Sequence, residues 1–440
     1  MAGTKSQKKN SPTPKWTPRK GNFVVIKERH SKHKEEACLR DVELTKNNDT
    51  PYGAPSNDSR PKPVKPYKGL VRANIEAMAG YVPGEQPKEG EAVKLNTNEN
   101  PYRASEKAYD AIRAVADKGL SRYPNAAGQA FREAAAEVYG VSPDWIMCGN
   151  GSDDILTVLT RTFVGENQLL RLPYPSYILY KSLADIQGAR SEEVRFNADW
   201  TLPEYFAQAP AATDAAAPAR VNSLDSVNPD DLKLVYLPNP NSPSGTRLSN
   251  DEIQKIVDSL PCPIVIDEAY ADFSGANCIE LAKKNPRVII SRTMSKSYAL
   301  AGLRFGFMIA RPETIAETFK VKDSYNCDAL SIAAATAAIQ DQEWLAATTK
   351  KIIATRERLV AKMREFGFVV PTSYSNFSWN VWPNGDLSHK DLYLYLKKNG
   401  YLVRYMNYEG YGDGLRISVG TDEDNDKCLA LIERYLNGDR

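Results

Sequence analysis

From Trp145 to Ala310 the chain repeats one pattern: a short run of aliphatic and β-branched residues, a loop of glycine, proline or asparagine, then an amphipathic stretch with a polar cap. WIMCG runs through a glycine turn into SDDILTVLTRTF, LLRLPY through a proline loop into ILYKSLADIQ, and DLKLVYLP through NPNSPSG into LSNDEIQKIVDSL. PCPIVID and RVII follow as further short apolar runs. Buried strands alternating with helices predict an α/β domain built on a mainly parallel sheet flanked by helices. Ligands of such sheets gather at the carboxyl ends of the strands. The Gly149 loop, the Asn239 loop, Asp267, Tyr270 and Lys296 all fall at such ends.

Lys296 lies in SRTMSKSYALAGLRFG, on a turn between two apolar strands. Thr293 and Ser295 place hydroxyls beside it and Arg304 a fixed cation, a set suited to a dianionic phosphate near an amine. Gly149 and Gly151 permit close backbone approach, and the helix start at Ser152, Asp153 and Asp154 offers N–H groups to an anion. The spacing is neither that of a dinucleotide fingerprint nor that of a P-loop. Tyr177 stands where a ring can stack on a planar ligand, and Asn98 and Glu99 sit in a polar loop after the strand VKLN. Taken singly, each has an ordinary explanation as a surface lysine, a helix cap or a packed tyrosine. Their convergence does not.

At 440 residues the chain is long enough for a large domain and a smaller one. Its net charge of +2 is unevenly spread: residues 1–68 carry 16 Lys and Arg against 7 Asp and Glu, the remainder 41 against 48. Those first residues, rich in Lys, Pro, Ser and Asn, read as a disordered basic extension. They show neither stacking aromatics between the charges nor a recognisable helix-turn-helix, which argues against nucleic acid as a partner. The six cysteines have no CxxC spacing, so no disulfide framework or zinc site is expected and a cytoplasmic home is the simplest. No apolar run has the length of a membrane span. Only His30, His33 and His389 are present, so proton transfer must use another group and no metal site is expected. Residues from about 205 to 226 read as a surface insertion. Beyond long helices from about Asp341 to Phe366, NFSWNVW, KDLYLYLKKNG, YLVRYM and GLRISVG predict a smaller α+β unit with Arg404 and Arg416 in its strands. The expected organisation is an extension over 1–68, an N-terminal segment of the small domain over 69–102, a large domain over 103–328 and a small domain over 329–440.

A strand-end aspartate, a lysine on the next strand end, a helix N-terminus and an arginine fit pyridoxal phosphate: the lysine forms a Schiff base with the aldehyde, and the aspartate keeps the ring nitrogen protonated. The motifs LNTNENPY, SRYPN, CGNGSDDIL, PYPSYILY, LPNPNSPSG, VIDEAYADF, SRTMSKSYALAGLRFGF, VKDSYN and LRISVGT together resemble the fold type I pyridoxal phosphate aminotransferases, nearest to the histidinol-phosphate branch, from about Leu70 to the C-terminus. The resemblance implies Lys296 as the Schiff-base lysine, Asp267 as partner of the ring nitrogen, Tyr270 near the 3-oxygen and Tyr177 stacked on the ring. It further implies that Ser152, Asp153, Thr293, Ser295 and Arg304 surround the cofactor phosphate, and that Tyr123 reaches the phosphate of a neighbouring subunit in a homodimer with shared active sites. Asn98, Glu99, Asn376, Arg404 and Arg416 would meet the substrates, histidinol phosphate and glutamate or 2-oxoglutarate. Decarboxylation of threonine phosphate and transamination of aromatic amino acids are the alternatives on the same scaffold. One departure stands out: where the family commonly reads NNPTG, this chain reads Asn241-Ser242-Pro243-Ser244-Gly245, so Ser242 replaces the asparagine that bonds the 3-oxygen.

Overall fold

The computed structural model describes residues 69–439 except 81–83, 89, 91, 211–218 and 222–227. The basic extension expected over residues 1–68 lies outside the described residues. Among those described, the strands are β1 Val93–Lys94, β2 Ile146–Gly149, β3 Leu169–Tyr174, β4 Arg190–Arg195, β5 Ala219–Val221, β6 Leu232–Pro238, β7 Ile264–Asp267, β8 Val288–Thr293, β9 Gly306–Ile309, β10 Phe377–Asn380, β11 Tyr401–Leu402, β12 Arg404–Tyr408 and β13 Gly412–Ser418.

Strands β2 to β9 form one sheet in the order β2-β9-β8-β7-β6-β3-β4-β5. Every position of β2, β7, β8 and β9 is buried. Helices cover both faces, which is why these strands read as continuous apolar runs and not as alternating ones. Successive residues serve opposite layers: Ile264, Ile266 and Ile290 pack with Phe131, Ala334 and Ala338 on one face. Val265 and Ile289 pack with Leu156, Leu159 and Tyr180 on the other. The helices start as their residues dictate. Ser105 caps Glu106–Lys118, and Ser249 forms a capping box with Glu252 ahead of Asn250–Ser259.

The sheet is parallel from β8 through β7, β6 and β3 to β4, whereas β9 is antiparallel to both β8 and β2. Residues 294–305 contain no crossover helix, so the chain returns beside the strand it has just left, as an antiparallel neighbour must. That return bends the Lys296 loop over the sheet's carboxyl edge.

Two expectations change. The insertion expected from residue 205 begins later, because Phe206 is buried in the main core and Arg171 holds the carbonyls of Phe206 and Gln208. Residues 219–221 then pair antiparallel with β4 as an edge strand. The boundary expected at residue 329 also moves. Helix Ala329–Gln340 buries Ile332, Ala335 and Ile339 in the large-domain core, and the next helix, Gln342–Glu365, spans two cores. Its Leu345 joins the large one, and Ile352, Leu359 and Met363 join that of the smaller unit. An amphipathic helix of 24 residues is long enough to serve both. In the smaller unit β10-β13-β12 form an antiparallel sheet, and β1 pairs parallel with β11, so the segment before the large sheet is completed by the chain's end.

Candidate active site

A cavity of about 410 Å³ opens at the carboxyl edge of the parallel strands. Of the residues singled out in the sequence, Lys296, Asp267, Tyr270, Tyr177, Ser152, Asp153, Ser242, Thr293, Ser295, Arg304, Asn98, Glu99, Arg404 and Arg416 all line it. Tyr123 and Asn376 do not. Tyr123 is 81% exposed and stacks on Tyr325 with centroids 4.5 Å apart. Asn376 is fully buried behind the wall and donates from Nδ2 to the carbonyl of Asn98 at 3.0 Å.

The ends of β7 and β8 are pinned by an ion network that the sequence reading missed. Arg292 donates through Nε and Nη2 to Glu268 Oε2 at 3.0 and 2.7 Å, and through Nη1 to Asp272 Oδ1 at 2.9 Å. Glu268 follows Asp267 in the chain and Arg292 precedes Thr293, so this buried network sets two strand ends side by side. Lys296 Nζ, four residues beyond Arg292, donates to the carbonyl of Thr97 at 3.0 Å. Asp267 is 5% exposed and accepts from the Tyr180 hydroxyl at 2.7 Å and the Ala269 amide at 3.1 Å. Burial pushes its carboxyl up to about 6 against the pull of those hydrogen bonds. A cationic N–H facing it would relieve that cost.

Also at the cavity wall, helix Ser152–Phe163 begins at Gly151 with no capping side chain, leaving its first amides unspent. Arg304 Nη1 donates to Ser295 Oγ at 3.3 Å, and Nη2 reaches Asp153 Oδ2, also at 3.3 Å. Tyr177 donates to Asp153 Oδ1 at 3.1 Å. The Asp153 carboxylate is thus committed to Arg304 and Tyr177, and what it offers an anion is its backbone N–H. The backbones here are nearly in contact: a Cβ on Gly306 would lie 2.5 Å from Gly151 C and Ser152 N. Arg304 adopts a left-handed φ of 54°, strain of about 1–3 kcal/mol of the kind kept at functional sites.

The remaining wall comes from the smaller unit. Arg404 on β12 and Arg416 on β13 face each other in register. Arg416 donates to Ser242 Oγ at 3.0 Å and to the Asn96 carbonyl at 2.9 Å. Asn98, buried at φ 56°, donates from Nδ2 to the Tyr270 hydroxyl at 2.9 Å, while its amide and Oδ1 are held by Ser418 Oγ at 2.9 and 2.8 Å. Glu99 accepts from Lys94 at 2.7 Å. Tyr180, Thr97, Ser418, Arg292 and Glu268 escaped sequence reading. None carried a local cue to its partner; Tyr177 lies in the loop ahead of helix Leu179–Gln187, which carries Tyr180.

Pyridoxal phosphate fits these residues. An anion cradle of uncapped amides, hydroxyls and an arginine, a buried carboxylate suited to a ring N–H and a lysine amine line the one cavity. The model of the aminotransferase class I and II family matches residues 91–432, and the chain belongs to that pyridoxal phosphate-dependent family. Histidinol-phosphate aminotransferase of Rhodopirellula baltica is 51% identical over 366 residues, 83% of this chain and 95% of its own length. That of Geotalea uraniireducens is 41% identical over 363 residues, 82% of this chain and 98% of its own. Histidinol-phosphate aminotransferase of Sinorhizobium meliloti, solved in complex with pyridoxal-5'-phosphate, has the same fold with a TM-score of 0.71 at 23% identity, covering 84% of this chain and 99% of that one.

Proposed function

We propose that this aminotransferase moves an amino group between L-histidinol phosphate and 2-oxoglutarate, in histidine biosynthesis. The observation that carries the reading is the register pairing of Arg404 with Arg416 on the wall of the cavity that Lys296 lines. Two guanidiniums on one wall suit a phosphate on one substrate and a carboxylate on the other, each by paired N–H donors. The relatives that share 51 and 41% of their residues with the chain carry the same name.

Ser152, Asp153, Ser295 and Arg304 would hold the cofactor phosphate, Tyr177 its ring face, and Tyr270 and Ser242 the side of its 3-oxygen. Pyridoxal phosphate, bound there, supplies an aldehyde for the incoming amine and a ring that stores the electron pair left at the substrate carbon. Asp267 holds the charge of a protonated ring nitrogen. Lys296 Nζ would take the proton from the amine-bearing carbon of the substrate and hold it until it is handed back in the transfer. Tyr270, Tyr177 and Tyr408 line the same cavity.

A homodimer is part of the same reading. Tyr123 does not line its own cavity and is largely exposed, which supports its reaching a neighbouring copy's phosphate. Light scattering that reports a monomer at all concentrations would remove this role. The five described cysteines are free and buried, in keeping with a cytoplasmic enzyme. No helix among the described residues is long and apolar enough to cross a membrane.

Glutamate formation from 2-oxoglutarate with histidinol phosphate, at least about 100-fold above that with phenylalanine, is the expected result. Carbon dioxide release from threonine phosphate, or equal rates with phenylalanine, would overturn it.

A further inference from the structure

Tyr180 is fully buried, and no step above uses it. Its hydroxyl donates to Asp267 Oδ2 at 2.7 Å. Its ring stacks on Tyr236 with centroids 4.8 Å apart and planes 19° apart. The Tyr236 hydroxyl is itself fixed by the Leu156 carbonyl and by Thr160 Oγ1, each at 2.7 Å. On its other side the Tyr177 ring meets Tyr180 edge-on at 5.6 Å. These contacts hold the ring that carries the hydroxyl beside the carboxylate.

We infer that Tyr180 is a positioning residue that keeps Asp267 ionised and aimed at the cofactor's ring nitrogen, and so sets the pH range over which the protein retains its cofactor. The inference rests on the reading of Asp267 as the ring-nitrogen partner. Burial, and then the Asp267 charge, push the Tyr180 phenol well above its ordinary value, so it remains a donor at every working pH. The other charged or titratable groups around Asp267 are Asp153 at the start of helix Ser152–Phe163, Glu268 next in the chain, Tyr236 on β6 and Lys296 across the cavity. Asp153 and Glu268 raise the carboxyl's proton affinity, and Tyr180 and the Ala269 amide oppose them. Removing the phenol hydroxyl leaves the carboxyl protonated to higher pH, where it no longer balances a ring N–H.

The test is cofactor affinity against pH, read by quenching of tryptophan fluorescence as pyridoxal phosphate is titrated into full-length protein stripped of it. For Tyr180→Phe the expected result is affinity about five- to tenfold weaker than wild type at pH 6 and within about twofold at pH 8.5, with the midpoint raised by about one pH unit. Tyr236→Phe, which keeps the stack and does not touch Asp267, leaves the profile in place. A loss of the same size at both pH values would make Tyr180 a packing residue and overturn the proposal, as would an unchanged profile. Asp267→Asn separates the two levels: if it leaves affinity and profile unaltered, the reading of Asp267 fails before that of Tyr180. Should the phenylalanine variant not fold, 3-fluorotyrosine at position 180, a stronger donor of nearly the same size, lowers the midpoint; no movement would overturn the proposal.

Discussion

Arg416 on β13 donates to Ser242 Oγ on the loop after β6 at 3.0 Å, joining the smaller unit to the large sheet at the cavity wall. The serine that replaces an expected asparagine thus orients a guanidinium. Ser242→Ala removes a hydrogen bond to a charged group, worth about 1.5 kcal/mol or more. The expected outcome is KM for the phosphorylated substrate raised about tenfold with kcat within about threefold, measured by steady-state kinetics. A fall in kcat with KM unchanged would show that Ser242 acts on the side of the cofactor's 3-oxygen alone and not through Arg416.

Lys296→Ala removes the group proposed to move the proton, a contribution of about 10²–10⁴-fold. Turnover should fall at least that far, and the visible absorbance of the lysine-linked cofactor should vanish. Nζ makes one hydrogen bond, to Thr97, so thermal unfolding should shift by only a few degrees. Turnover above about a tenth of wild type would remove Lys296 from the chemistry.

Without cofactor, Asp267 opposes folding at neutral pH. Its folded value is raised by burial to about 6, above the unfolded value of 3.8. Its contribution is therefore fully present below the unfolded value and is lost as pH rises through about 6, a change of roughly 3 kcal/mol at one pH unit per 1.36 kcal/mol. Asp267→Asn should stabilise the cofactor-free protein more at pH 7.5 than at pH 4 in urea melts. Equal effects at the two pH values would contradict this.

Gly306→Ala should weaken cofactor binding by at least about tenfold. The added methyl would lie 2.5 Å from backbone atoms of Gly151 and Ser152, and no flexible side chain there can yield. Fluorescence titration checks it, and unchanged affinity would show that the cradle tolerates widening.

Arg171 and Glu192 form an ion pair at 2.7 Å with side chains 0 and 1% exposed, extended by the Tyr205 hydroxyl on Glu192 at 2.6 Å. Arg171→Leu strands a buried carboxylate and should cost about 3–5 kcal/mol in denaturant melts, with kcat of the folded enzyme unchanged. A cost below about 1 kcal/mol would mean that water reaches the pair.

The carboxyl-edge site was legible because it follows from local pattern. Apolar runs broken by glycine, proline and asparagine identified the strands, and the Gly149 loop, the Asn239 loop, Asp267, Tyr270 and Lys296 fall where those strands end. Tyr180, Thr97, Ser418 and the Arg292–Glu268 pair were not legible, since nothing near them in the chain announces their partners. Asn98 and Ser418 are 320 residues apart, and Asn376 lies behind Asn98 although the family resemblance implied a place at the substrate.

By itself the sequence determined the alternation of strand and helix, the residues at the strand ends and the cofactor those residues suit, because periodicity, turn chemistry and helix caps act within a few neighbouring residues. Only the tertiary structure decided the strand order, the antiparallel return of β9, the helix shared between two cores and the hydroxyl that steadies Asp267. Those depend on which distant segments come within hydrogen-bond range once the sheet has closed around its core.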